Sequence, residues 1–342
     1  MLVLAAVAAG AAAVRAEDKP AAAPDPVPEA VQKAAESAPP PGPDQVTIGA
    51  YINDIHELDF RSHSYAVDLY VWFRWHNEAA NPVKSMEFMN RYSPTDHQRD
   101  SLLPKPKPMP DGTFYGIIRE QGRFSSKFRL EKYPFDRQTL KVVFEDQAAS
   151  SVEQIYGIQE MPVTINPELT LPGYQVGTPS LVISANTYPT NFGDISLKNN
   201  ETYSRVTIGI PVSRPLVTVS IKTFVPILLI IICSTLVFFV KPSYVEGRIG
   251  LAITALLTLV ALQLTASASL PDVDYLMLID KAYLASYGFI IAALTRVVAT
   301  SAGAGVPLND NRISAGDKHW AMFLVAGYIV ILAAALAWTF SR

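Results

Sequence analysis

The sequence predicts a two-part exported protein, an antiparallel β-sandwich followed by a bundle of four transmembrane helices. Three observations carry that fold class. Between about Gln45 and Val212, apolar side chains recur with period two, the mark of half-buried strands. After Arg214-Pro215 the composition turns abruptly to long uncharged runs of helical length. The short segments between those runs alternate in charge, basic on one side and acidic on the other.

Composition sets the outer limits. Of 342 residues, 49% are hydrophobic and the formal net charge is -3. The mean hydropathy of +0.19 is high for a wholly soluble chain. No Lys/Arg-rich block occurs, so nothing favours a nucleic-acid partner. The single cysteine, Cys233, lies in an apolar run and reads as a small buried hydrophobe. Disulfides within the chain and a thiolate metal cluster within one subunit are thereby excluded.

Residues 1–16 read as a signal peptide, an Ala/Val/Leu stretch closed by Val14-Arg15-Ala16, with small residues where a signal peptidase cuts. Residues 17–43 are Ala/Pro-rich and end in Pro39-Pro40-Pro41-Gly42-Pro43, the composition of a semi-rigid or disordered linker. Residues 44–214 form the expected β domain. Tyr65, Val67, Leu69, Val71, Phe73 and Trp75 alternate with polar neighbours, and Val206, Ile208, Ile210 and Val212 repeat the pattern. Leu140, Val142 and Phe144 do so more weakly, as do Phe124, Phe128 and Leu130. Turn signals at Pro110-Asp111-Gly112, Leu171-Pro172-Gly173 and Asn199-Asn200 punctuate the runs. Many short strands at this spacing suit a sandwich, and a mixed-topology barrel would show the same pattern.

Residues 215–342 are expected to hold spans at about 217–240, 247–270, 276–300 and 319–340. Lys222 snorkels outward from the first, and Trp320 and Phe340 bound the last at the interfaces. An exported amino-terminal domain places the loops after the first and third spans in the cytoplasm. Those loops hold Lys241, Arg248, Arg312 and Lys318, whereas the outer loop holds Asp272, Asp274 and Asp280 against Lys281, which satisfies the positive-inside rule. The inner loop before the fourth span is too short for a cytoplasmic domain. The expected location is therefore the cell inner membrane, multi-pass, with the β domain in the periplasm or extracellular space.

On the second span, alternating steps of three and four residues link Glu246, Gly250, Thr254, Leu257, Ala261, Leu264 and Ala268 on one helical face. From its cytoplasmic end this face runs from acidic, through small and hydroxylated, to apolar. The opposite face carries Leu251, Leu259 and Leu262 for packing. A closed ring of such helices would form a carboxylate ring, a polar stretch and an apolar constriction able to gate by dewetting. The same pattern also fits an ordinary helix with small residues for close packing, and Glu246 a solvated residue at the membrane surface.

Catalytic signatures are absent from the sequence: there is no H-E-x-x-H, no G-x-S-x-G and no P-loop, so an enzyme is not expected. His56, Glu57 and His63 lie close in sequence and read as solvated rather than metal-bound. No cofactor and no metal is expected.

Several ordered motifs resemble those of the pentameric ligand-gated ion channel superfamily, the Cys-loop receptors and their bacterial relatives. Tyr133-Pro134-Phe135-Asp136-Arg137-Gln138 is similar to the core of the signature loop, without its two flanking cysteines, as in bacterial members. Trp75 resembles the strand tryptophan, Arg214 the arginine before the first span, and Pro226 the proline within it. Arg248 to Thr254 resembles the start of the pore helix, with Leu257 at the gate leucine, Leu270-Pro271 at the outer loop and Ile279-Asp280 at the entry to the third helix.

The resemblance covers about Gln45 to Arg342. It implies an extracellular all-β, immunoglobulin-like sandwich and a four-helix transmembrane bundle in each subunit of a homopentamer around a central pore. It further implies a small extracellular ligand or protons as stimulus, and movement passed through Asp59, Pro134, Phe135, Asp136 and Arg214 to Pro271. Tyr188, Phe192 and Tyr203 fall where an aromatic ligand box would lie. Asp54, His56 and His63 suit proton sensing. The segment from Asn90 to Asp111 lacks the family's Trp-x-Pro element, and the third binding loop lacks a vicinal cysteine pair, so no agonist is implied. Glu246-Gly247 stands where anion-selective members usually carry Pro-Ala, which favours permeating monovalent cations, although Gly247-Arg248-Ile249-Gly250 also resembles anion-selective members and Arg248 could supply positive charge instead. Arg248 is then expected to point away from the pore axis, toward the cytoplasmic surface. The rival reading is a membrane-anchored sensor or transporter without channel activity.

Overall fold

The computed structural model describes residues 42–193, 195, 200–304 and 306–341, so the expected signal peptide and nearly all of the expected linker lie outside the described residues. The described chain divides into two compact units, residues 42–128 with 137–213 and residues 129–136 with 214–341.

The first unit holds strands β1 (Asp44–Asp59), β2 (Ser64–Trp75), β3 (Met86–Phe88), β4 (His97–Ser101), β5 (Lys107–Pro108), β6 (Phe114–Ser125), β7 (Arg137–Asp146), β8 (Gln154–Ile165), β9 (Gln175–Val176), β10 (Ser180–Thr187) and β11 (Thr202–Ser213). One sheet runs β4-β6-β2-β1-β8 with β5 added to β6, and the other runs β10-β11-β7-β3 with β9 added to β11. Two separate sheets make this a sandwich, not a barrel. Among the described residues one pairing, β1 with β8, is parallel and departs from the all-antiparallel expectation.

Alternation is what builds the core. Every second residue of β2 from Tyr65 to Trp75 is at most 1% exposed, and Val206, Ile208 and Ile210 of β11 are fully buried. The two layers meet through rings: Phe73 of β2 approaches Phe144 of β7 at 6.2 Å, and Phe88 of β3 meets Phe124 of β6 at 5.4 Å, both edge to face. Such pairs each add about 0.5–1.5 kcal/mol to simple burial. Phe128 and Leu130 are buried but lie beyond the end of β6, so they are not the continuation of a strand. Phe128 packs on Phe60 at 5.0 Å instead, an anchor that period two cannot distinguish from a strand position.

The second unit holds helices α1 (Leu216–Leu236), α2 (Val245–Ser267), α3 (Leu278–Ser301) and α4 (Pro307–Ser341), each containing a segment long and apolar enough to cross a membrane. Of these, α3 packs against the other three and α4 chiefly against α3. Small buried side chains, Ala252 of α2, Ala293 of α3 and Ala321 of α4, sit in the contacts and let the backbones approach closely. Three expectations need correction. Helix α1 ends four residues early, while α4 starts twelve residues early, because its polar first turns bury Asp317 against arginines. Cys233 is exposed on α1 in the single chain; a uniformly apolar helix gives no signal of which face packs.

Candidate functional site

On α2, Glu246, Gly250, Thr254, Leu257, Ala261 and Leu264 are all exposed, as is Ala268 at its C-cap, with Leu257 at 64% and Leu264 at 68%. Between them, Arg248, Ala252, Ala255 and Leu259 are buried. The helix thus shows one packed face and one open face that carries two large leucines, and the other three helices likewise expose large apolar side chains, as membrane-spanning helices do. Leu251, expected to pack, is 42% exposed, while Leu262 is half-buried and Leu259 fully buried. The packing stripe is narrower than three leucines because α2 contacts only α1 and α3 closely. The hydroxyls of Thr258 and Thr265 donate to the carbonyls of Thr254 and Ala261 at 2.8 and 2.9 Å, which satisfies them without a partner outside the helix.

Arg248 does point away from the open face, but not toward the cytoplasmic surface as expected. It turns inward and is 1% exposed. Its Nε donates to the carbonyl of Val237 at 3.1 Å, and its guanidinium is hydrogen-bonded to Asp317 of α4. The second Asp317 oxygen accepts from Arg296 of α3 at 2.9 Å, and the Arg296 guanidinium lies over the Trp320 ring at 5.8 Å. Burial of a carboxylate is offset here by two cationic donors.

The segment 129–136, in the same unit, is built into the bundle. The carbonyls of Glu131 and Tyr133 accept from the amides of Leu278 and Ile279 at 3.1 and 3.3 Å, so they cap two amides in the first turn of α3. The Tyr275 hydroxyl accepts from the amide of Leu130 at 2.9 Å. Phe135 stacks on Phe224 of α1 at 5.8 Å and meets Phe340 of α4 at 6.3 Å. Arg214 lies 3.4 Å from the Asp136 carboxylate and 5.0 Å over the Tyr133 ring. Pro134 is buried, and Pro271 is half-buried in the α2–α3 loop. Asp59 belongs to the sandwich unit, where it accepts from Ser62 Oγ at 2.7 Å and the Arg61 amide at 2.9 Å. The Ser62 hydroxyl above all holds its carboxyl below the usual range.

The aromatic residues expected to form a box do come together. Tyr188 lies 5.4 Å from Phe192 and 5.8 Å from Tyr203, both edge to face. Behind them Tyr188 donates to Glu145 at 3.0 Å and accepts from Arg205 at 3.1 Å. Arg205 also pairs with Glu145, so the carboxylate is not free to attract a ligand cation by itself. Burial raises the pKa of both tyrosines, which keeps the Tyr188 hydroxyl a donor.

Asp54 and His56 approach at 3.3 Å on an exposed stretch. His63 sits apart from them in the β1–β2 turn, where its Nδ1 accepts from the Phe128 amide at 3.4 Å and its ring stacks on Phe128 at 5.9 Å. Among the described residues no cluster of His, Cys, Asp or Glu is arranged to hold a metal.

Sequence reasoning missed Asp317, Tyr275 and a buried network around Glu120. That carboxylate is fully buried, 2.8 Å from His97 Nδ1 and 2.9 Å from Arg99 Nε, and His97 Nε2 lies 2.7 Å from the Arg123 carbonyl. Gly122 makes room for the ring, since a Cβ there would lie 2.0 Å from His97 Nδ1. A glutamate inside the β6 alternation was the available signal for this network.

No protein-family model matches the chain. It is similar to a proton-gated ion channel of Gloeobacter violaceus, 23% identical over 278 residues that cover 76% of this chain and 75% of that protein. It is 26% identical over 184 residues to the gamma-aminobutyric acid receptor subunit gamma-3 of Homo sapiens, covering 54% of this chain and 38% of that subunit. The pH-sensitive chloride channel 2 of Anopheles gambiae is 24% identical over 279 residues, 74% of this chain and 45% of the mosquito protein. The chain thus spans three quarters of the bacterial relative but less than half of the two animal ones.

Proposed function

We propose, on the premise that this chain belongs to the pentameric ligand-gated ion channel superfamily, that five copies surround a cation-selective pore lined by the open face of α2. The chain is a ligand- or proton-gated ion channel subunit in a multi-pass membrane protein. The observation that supports the pore is the division of α2 into a packed face and an open face on which all seven periodic positions lie. A ring of identical interfaces closes such faces on a central axis. Leu257, Ala261 and Leu264 then form the apolar constriction, and Glu246 a carboxylate ring at the cytoplasmic mouth that concentrates cations.

Selectivity is not decided by kinship, because one relative is named a chloride channel. Cations are favoured by the local charge: Glu246 is exposed at the start of α2, whereas Arg248 is buried and paired. The coupling residues in this reading are Asp59, Pro134, Phe135, Asp136, Arg214 and Pro271. The stimulus is a small extracellular ligand or protons. The ring cluster of Tyr188, Phe192 and Tyr203 supports the former, and the neutral His63 at a turn supports the latter.

The test is the reversal potential in a sodium chloride dilution gradient, whose tenfold form offers about 59 mV for a monovalent ion. Wild type should reverse near the sodium equilibrium value, and Glu246→Gln closer to zero. A wild type that reverses near the chloride value defeats cation selectivity. A Gln variant indistinguishable from a sodium-preferring wild type removes Glu246 from the account.

A further inference from the structure

We propose that Asp317 sets the charge of the pore's cytoplasmic mouth by holding Arg248 inside the helix bundle. The inference rests on the reading that α2 lines the pore, and it adds a residue on another helix that acts only through Arg248. Arg248 follows Glu246 by two residues, which turns the two side chains about 200° apart on a helix. Among the described residues its head group has one side-chain partner, the Asp317 carboxylate, and one backbone partner, the Val237 carbonyl at 3.1 Å. The Arg248 side chain is 2% exposed and that of Asp317 is fully buried.

Two guanidinium groups share this one carboxylate, since its other oxygen takes Arg296 at 2.9 Å. Without the carboxylate, two like charges would stand together in a desolvated pocket, a situation that long cationic side chains escape by swinging their heads to water. Arg296 already reaches partly exposed surface, with a side chain that is 23% exposed, so it has a route that leaves α2 untouched. Arg248 is the deeper of the two, and Glu246, two residues before it at the start of α2, is exposed. An arginine released there would oppose the glutamate in every subunit. Asp317 is therefore a positioning residue for selectivity and not only a staple between α4 and the rest of the bundle.

Reversal potentials of the full-length channel in the same sodium chloride gradient separate these roles. Asp317→Asn should shift the reversal toward the chloride equilibrium value. Adding Arg248→Gln to that variant should return it to the wild-type value, and Asp317→Glu should never leave it. A staple alone predicts fewer assembled channels with unchanged reversal, and that result in Asp317→Asn overturns the proposal. So does a double variant that stays as shifted as the single one. If Asp317→Asn does not assemble, Arg248→Gln alone decides: a buried, paired arginine is electrically silent at the mouth, so the reversal should not move, and a move to stronger sodium preference overturns the proposal. A wild type that already reverses near the chloride value defeats the cation reading alone; there Asp317→Asn should raise the unitary chloride conductance and the added Arg248→Gln should abolish the gain, and a conductance that Asp317→Asn leaves unchanged overturns this inference.

Discussion

His63 illustrates how one residue can make the sandwich sensitive to pH. Burial, with the Lys127 charge next and Asp59 opposing, holds its pKa below the ordinary imidazole value of about 6.5. The neutral ring accepts the Phe128 amide through Nδ1, a bond that protonation of that nitrogen destroys. Because the native value is lowered, the unfolded or opened turn binds more protons in the window between the two values. Stability of the closed turn is therefore intact above about 6.5, begins to fall as the pH drops through it, and has lost the full amount below the lowered native value. Hydrogen exchange at the Phe128 amide, corrected for intrinsic rate, should lose protection across that window in wild type and stay level in His63→Gln. Protection that is flat with pH in wild type would remove His63 as a sensor. At this scale the sequence marked His63 as titratable but could not separate it from His56, because the turn that brings His63 to Phe128 is a tertiary contact. Asp317 was invisible for the same reason: its partner Arg248 is 69 residues away in sequence.

Among the elements, α2 was the most legible, because helical periodicity alone places Glu246 through Ala268 on one face, and all seven of those positions are exposed. What periodicity could not tell is how wide the packed stripe would be, hence the exposed Leu251. Nor could it set the start of α4, where polar residues before Trp320 look like loop until Asp317 is paired. Each leucine hidden from water in a closed ring contributes about 1.5–3 kcal/mol. Replacing Leu257 by Ser in all subunits therefore shifts the closed–open balance by at least about tenfold, since about 1.4 kcal/mol is one factor of ten. Resting current without stimulus should rise by that order, and the stimulus needed for half activation should fall. Wild-type resting current at wild-type surface expression would place the gate elsewhere on the helix.

For the whole molecule, period two announced the sandwich and apolar run length announced the four spans, since both depend on local pattern. The parallel pairing of β1 with β8 and the capping of α3 by Glu131 and Tyr133 join segments distant in sequence, and no local period reports them. The capping ties the segment 129–136 to the bundle by backbone bonds that side-chain replacement leaves in place. The central claim, that copies of this chain enclose a gated pore, is tested most directly by unitary current recording of the purified protein in planar bilayers. Recordings should cover neutral to acid pH and a panel of small amines. The account predicts discrete, stimulus-dependent current steps of uniform size, which become frequent without stimulus in Leu257→Ser. Assembled, correctly inserted protein that stays electrically silent under every condition, with the Leu257→Ser variant silent too, would contradict it.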